Sequence, residues 1–281
     1  MKIGIQGGIG DAIPTLAVCE ELRIDAVRCD VTDATNYPSL VARFLESTIQ
    51  PLFMIRDVSK AAALMDAALP TPLQWGLEVF NEPNINAISV DTYVAGVNQV
   101  FSDARSRGFQ GRVYAGAIAN LNVEGIDYLR RAEPRLSPGI AIAIHRYQPG
   151  TQTDLFGKSR RAVAWTPFAS REAELETVRQ IIGDRHLAVT EFGYHTATEE
   201  IGWFKVRLTD DQARDNLVAD FQFYEANGPE LVIVYQWNDG PIVSGTNEPI
   251  DQFMHRFGIT KEDGTVKPQA DAFRLFREMS S

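Results

Sequence analysis

The sequence predicts an α/β protein built as a single (β/α)8 TIM barrel, with residues 1–281 forming one domain. Three observations predict it. β-like runs alternate with helical runs through eight β/α units. The β-like runs are almost continuously apolar, as strands buried on both faces are. Unusual polar residues fall at the C-terminal ends of those runs, the end at which a barrel of about 250 residues carries its chemistry. A doubly wound open sheet is the structural rival. The turn "GGIGDAIP" (7–14) would serve it only weakly, since it matches neither the dinucleotide nor the P-loop glycine pattern.

The elements follow in order. "KIGIQ" (2–6) is the first strand and "TLAVCEELR" (15–23) a helix. "DAVRCDV" (25–31) is the second strand, followed by a helix over 39–48 with Ser39 near its start. "PLFMI" (51–55) precedes an alanine-rich helix over 60–69. "WGLEVF" (75–80) is the fourth strand, and the long helix 91–108 ends at Gly108, a natural C′ residue. "RVYAGAI" (112–118) leads to a helix over 124–136 that Pro134 interrupts. "GIAIAIHRY" (139–147) precedes the helix 171–183, and "HLAVTEF" (186–192) precedes the helix 209–228. Thr209 reads as the N-cap of that last helix, with Asp210 and Asp211 where its dipole favours them. "ELVIVYQW" (230–237) is the eighth strand, and the helix 269–279 closes the chain. The long irregular stretches 148–170, 193–208 and 238–268 all follow strands, hence the catalytic face.

Composition narrows the function. The formal net charge of −10 argues against a nucleic-acid partner. No 18-residue apolar run and no signal-type apolar core occurs, so no membrane partner is expected. The chain reads as soluble, either cytoplasmic or secreted with its signal outside this sequence. Cys19 and Cys29 lack metal-type spacing and read as buried thiols, with a disulfide between them left open. Four histidines without H-x-H or H-E-x-x-H argue against a metal hydrolase, and no cofactor or metal is expected.

The polar strand ends carry the functional signal. Arg28 lies late in strand two, Asn81 and Glu82 end strand four, and Asn120 follows strand five. His145 and Tyr147 end strand six, Glu191 lies near the end of strand seven, and Trp237 and Asn238 end strand eight. Glu82 and Glu191 face each other across the predicted mouth. Two carboxyls so placed suit acid/base chemistry, one protonating a leaving group while the other attacks or activates water. Tyr194 and His195 either line a subsite or pack in a loop. Trp75 reads as core and His186 as structural. Trp165 and Trp203 are loop aromatics, and His255 has no visible role.

These segments resemble a known group. "EVFNEPN" is similar to the Asn-Glu-Pro motif of the clan A retaining β-glycoside hydrolases, "AVTEFGY" to their nucleophile strand, and "HRY" to the His-x-Tyr of family 5-like members. "YQWND" resembles their eighth-strand segment and "RFGITKEDGTVKPQADAFR" their C-terminal tail. The resemblance implies an O-glycosyl hydrolase acting on an oligo- or polysaccharide, with Glu82 as general acid/base and Glu191 as nucleophile. Asn81 would bind the sugar 2-hydroxyl, and Tyr147 and Arg28 would hold Glu191. His145 would contact substrate or support the acid/base, and Trp237, beside Asn238, would offer a flat face to a sugar ring. Family 5 members carry a histidine near the end of strand three, whereas this chain reads "MIRDVS". "LEVFNEPN" is closer to the Glu-x-x-Asn-Glu-Pro of families 39 and 51. A non-catalytic or weakly active carbohydrate-binding barrel is the alternative.

One residue breaks the core pattern. Glu78 sits among Trp75, Leu77, Val79 and Phe80. Positions 78, 80 and 82 share a parity, which aims Glu78 into the barrel one layer below Glu82. A buried charge needs a partner, and Arg28 is the expected one.

Overall fold

The computed structural model describes residues 1–9, 13–146, 151–153, 159–161, 170–196, 198–201, 204–240 and 256–280. Eight parallel strands close into a barrel. They are β1 (Lys2–Ile9), β2 (Ala26–Asp30), β3 (Gln50–Ile55), β4 (Gly76–Val79), β5 (Val113–Ile118), β6 (Ala141–His145), β7 (Leu187–Phe192) and β8 (Leu231–Val234). Each pairs with its neighbours in sequence, and β8 returns to β1 through Lys2 opposite Leu231. The open-sheet rival is thereby excluded. Among the described residues, the α-helices are α1 (Leu16–Glu21), α2 (Tyr37–Ala42), α3 (Ala61–Ala68), α4 (Val90–Ser106), α5 (Val123–Ala132), α6 (Arg171–Ile182), α7 (Asp210–Asn227) and α8 (Asp271–Met279).

Local chemistry sets the element ends. Thr209 and Gln212 form a reciprocal capping box at the start of α7, and Gly228, at φ 80°, closes it in the left-handed conformation. α2 departs from expectation. It runs over Tyr37–Ala42 instead of 39–48, capped by Asn36, which accepts from the Ser39 N–H, with Pro38 in the first turn. β8 also stops early, so Trp237 and Asn238 lie in the loop beyond the strand. Two of the long post-strand stretches contain short antiparallel hairpins, 151–153 with 159–161 and 198–201 with 204–207.

The strands divide two cores. Outward side chains meet the helices in one continuous apolar layer, where Phe221 of α7 packs against Phe273 and Phe276 of α8 at ring distances of 5.3 and 5.4 Å. Full burial of each such ring stabilises by roughly 1.5–3 kcal/mol. The inner cluster is smaller and alanine-rich: Ala26, Ala117, Ala141, Ala143 and Ala188 with Leu52, Tyr114, Leu231 and Ile233. Small inner residues leave room near the mouth for long polar side chains. At the opposite, N-terminal end they leave a cavity of about 630 Å³ edged by Lys2, Gln50, Trp75, Arg112 and Glu230. Trp75 is core as expected, stacked on Phe109 at 4.2 Å. Cys19 and Cys29 are buried free thiols, not a disulfide. Among the described residues, no helix is long and apolar enough to cross a membrane.

Candidate active site

Arg28 organises the mouth of the barrel. It points inward from β2 and is fully buried. All five of its N–H groups are used. Nε and one N–H of Nη2 donate to the two oxygens of Glu78 at 2.6 and 3.0 Å. Nη1 donates to Gln6 Oε1 and to Glu191 Oε1, both at 2.7 Å, and Nη2 also donates to Asn81 Oδ1 at 2.8 Å. Burial disfavours the guanidinium's charge, but Glu78 and Glu191 outweigh that and raise its pKa. Glu78 also accepts from Thr190 Oγ1 at 3.2 Å and from the Ala117 N–H at 3.3 Å. The expected Glu78–Arg28 pair is therefore present, and it buries no uncompensated charge.

The parity expectation fails at Phe80. Glu78 does face the barrel interior, but β4 ends at Val79 and Phe80 takes φ 71°. That left-handed residue turns the ring outward against Tyr93 of α4, at 5.8 Å. Glu82 is left-handed too, at φ 49°. Such conformations in non-glycine residues cost of order 1–3 kcal/mol each and persist only where the surroundings hold them. Here β5 does the holding. The Glu82 N–H donates to Ala117 O at 3.0 Å, and the Asn84 amide pairs at both ends with the Ala119 backbone, at 2.6 and 2.9 Å. Asn86 Nδ2 donates to the carbonyls of Asn81 and Glu82 at 3.1 Å.

His145, at the end of β6, stands beside both glutamates. Its Nδ1 lies 2.9 Å from Glu82 Oε1, and its Nε2 lies 3.6 Å from Glu191 Oε1. One ligand-type atom from each of Glu82, His145 and Glu191 falls within 4.8 Å of the others. Such a trio has the donors to hold a metal ion. Against that, Arg28 sits on Glu191 Oε1, and a fixed guanidinium there repels a divalent cation. Burial raises the Glu82 pKa, but the His145 hydrogen bond and the charges of His145, Arg28 and Arg56 outweigh it and leave it below the ordinary value.

The structure thus brings Arg28, Asn81, Glu82, His145 and Glu191 together. Tyr147, Trp165, Trp203 and His255 lie outside the described residues. Trp237 is half-buried, packs against the helix-facing apolar layer and donates its backbone N–H to Gln6 O at 2.9 Å. Asn238 is exposed, and its side chain donates to Asp239 O at 3.2 Å. Tyr194 is buried with its hydroxyl on Asp220 at 2.6 Å, and His195 packs edge-on to Phe257. Both pack within the structure around the mouth. His186 pairs with Glu230 at 2.7 Å, at the far end of the barrel.

Sequence reasoning missed several members. Gln6 buttresses Arg28, and Asn84 clamps the acid-bearing turn. Tyr235 feels both glutamates, and burial, then Glu191 and Glu82, push its phenol up to about 12. A polar residue late in β1 and the second asparagine of "NEPN" were the available signals.

Comparison with solved structures bears on the barrel that carries these residues. The GH39 enzyme from Xanthomonas axonopodis pv. citri superposes with a TM-score of 0.67 at 16% identity, over 99% of this chain and 66% of that one. The two share the (β/α)8 barrel fold. This chain spans just under two thirds of the length of the Xanthomonas enzyme. A GH128 subgroup I endo-β-1,3-glucanase from Amycolatopsis mediterranei, in complex with laminarihexaose, matches at TM-score 0.59 and 14% identity over 98% of each chain. A Rhizomucor miehei β-1,3-glucanosyltransferase, in complex with laminaritriose, matches at 0.64 and 14% over 95% of this chain and 96% of that one. No protein-family model and no curated protein sequence matches the chain.

Proposed function

We propose that the protein is a retaining glycoside hydrolase that cleaves β-linked glycans by double displacement. The observation that carries this reading is the spacing of Glu82 and Glu191, whose oxygens approach within 4.8 Å. Retaining enzymes set their carboxyls about 5–5.5 Å apart, and inverting ones about 6.5–9.5 Å, to admit a water.

In this reading Glu191 attacks the anomeric carbon while Glu82 gives its proton to the departing glycosidic oxygen. The C–O bond breaks and a glycosyl ester forms on Glu191. Forming the ester consumes a negative charge beside Glu82, which favours the carboxylate needed next. Glu82 then takes a proton from water as the water attacks the ester, and Glu191 leaves as a carboxylate. Arg28 fixes the nucleophile with a charge-assisted hydrogen bond. It also holds the Asn81 carbonyl oxygen, which leaves the Asn81 NH₂ as the group to donate to a sugar hydroxyl. His145 orients Glu82, and Tyr147 and Trp237 are proposed as further contacts to the nucleophile and the sugar ring. A soluble chain acting on an oligo- or polysaccharide without a cofactor completes the reading.

The test is a panel of β-linked oligosaccharides offered to the wild type, Glu82→Gln and Glu191→Gln, with the product anomer followed by NMR. Hydrolysis with retention, lost in Glu191→Gln, supports the proposal. Unimpaired activity of Glu191→Gln sinks it. Saturable binding without turnover by the wild type favours the carbohydrate-binding barrel instead.

A further inference from the structure

We propose that Arg56, clamped by Asp30, contacts the substrate at this mouth and selects a neutral sugar through its hydroxyl groups. The inference takes the location of the substrate from the hydrolase reading and adds its chemical class.

Arg56 follows β3 directly, where "MIRDVS" departs from the family pattern. Ala26, Arg28 and Asp30 alternate inward along β2, the first in the inner cluster and the second in the mouth network. Asp30 is buried at that same parity, and its Oδ2 accepts from Arg56 Nε at 2.6 Å. Its Oδ1 accepts from the Thr32 N–H at 3.1 Å, and Thr32 Oγ1 accepts from the Arg56 N–H at 2.7 Å. Backbone and head of Arg56 are both pinned to the end of β2. A guanidinium anchored on an inward carboxylate lies over the mouth, not against the helices.

Its electrostatic reach agrees. The Arg56 charge acts on Glu82, beyond β4, and on Tyr235, beyond β8 across the ring. The side chain is still 53% exposed. With Nε committed to Asp30, Nη1 and Nη2 have no partner among the described residues, and they offer a planar fork of donors. That fork matches two neighbouring hydroxyls. A uronate carboxylate is a poor fit, because Asp30 already neutralises Arg56, and Glu82 and Glu191 stand close by.

The experiment measures binding by calorimetry, using wild type and Glu191→Gln, each with and without Arg56→Met, Arg56→Lys or Asp30→Asn. The ligands are neutral β-1,3- and β-1,4-gluco-oligosaccharides and oligouronides of equal length. Arg56→Met is expected to weaken neutral binding about tenfold or more. It should also move the alkaline limb of kcat/KM to higher pH, because one cation that lowers the Glu82 pKa is gone. Arg56→Lys should restore the pH limb without restoring affinity, separating the charge from the fork. Asp30→Asn should improve uronide binding relative to neutral binding. Arg56-dependent binding without turnover by the wild type supports this inference while sinking the hydrolase. Equal neutral binding by Arg56→Met and its parent overturns the inference. So does tighter binding of oligouronide than of neutral glycan by the parent, or no binding of any ligand.

Discussion

Glu78 grips Arg28 from one layer below the mouth, its two oxygens 2.6 and 3.0 Å from Nε and Nη2. The pair gives Glu191 its fixed cation without leaving an uncompensated charge in the barrel. Glu78→Ala leaves Arg28 its ion pair with Glu191 but takes the acceptors from Nε and from one N–H of Nη2, two buried charged donors with no replacement. We expect it to cost about 3–5 kcal/mol of stability, read as a lower urea midpoint. Glu78→Gln should unfold at higher urea than Glu78→Ala and yet lose activity, because Arg28, released from one carboxylate, is drawn towards Glu191.

The roles proposed for Glu82 and Glu191 should be separable with an activated substrate. An aryl β-glycoside with a good leaving group needs little protonation at its glycosidic oxygen. Glu82→Gln should therefore still form the glycosyl ester on Glu191 but hydrolyse it slowly, giving a burst of phenol and then a steady rate reduced about 10²–10⁴-fold. Glu191→Gln should show no burst. Stopped-flow release of the phenol checks both, and a burst from Glu191→Gln contradicts the assignment.

Much of this geometry was legible in the sequence, for identifiable reasons. The alternation of apolar strands and amphipathic helices encodes the barrel, because each strand is buried on both faces. The Glu78–Arg28 pair followed from the rule that a buried charge needs a partner. The turn at Phe80 was not legible. Its left-handed backbone is held from outside β4, by Tyr93 and by the strand beneath, and a phenylalanine at such an angle carries no local signal. The Arg56–Asp30 clamp was not legible, because it exists only once β2 and β3 lie side by side. Asn84 was hidden because its two hydrogen bonds reach a strand 35 residues away.

The pH profile should depend on His145. Burial raises the Glu82 pKa, and His145, with Arg28 and Arg56, outweighs it to give a net lowering. The protonated form that donates to the leaving group is thus confined to acidic pH, and kcat/KM should fall as pH rises through the Glu82 pKa. His145→Ala removes the leading opposing influence and leaves the burial. The Glu82 pKa then rises, and the alkaline limb of kcat/KM should move to higher pH even as the maximal rate drops. An unmoved limb means that Glu82 is not the group that limits it.

The buried thiols should be silent in the native state. Burial pushes both Cys19 and Cys29 up to about 12, Glu20 adding to the effect at Cys19. The thiolate is the reactive form. At pH 8 a thiol reagent should label neither residue in the folded protein and both in urea. Mass spectrometry of the labelled protein reads the count directly. Two labels in urea without reductant also verify the absence of a disulfide.

Gly116 should prove as important to the site as a residue within it. It lies on β5 beside the turn at Phe80, and its carbonyl accepts from the Tyr93 hydroxyl at 3.0 Å. A Cβ at this position would collide with the main-chain oxygens of Val79 and Phe80. Backbone atoms cannot swing aside as a side chain can, so Gly116→Ala must push the end of β4 away from β5. That displacement moves Glu82, whose N–H is bonded to Ala117 O, and weakens the Asn84 clamp on Ala119. A shift of about 1 Å at a catalytic group can cost on the order of 100-fold in rate. Gly116→Ala should therefore lose kcat by about that factor on oligosaccharides that need protonation. The burst of phenol from the aryl glycoside should suffer much less, because Glu191, held by Arg28 from another strand, still forms the ester. Equal losses on the two substrates would instead point to general loosening of the barrel.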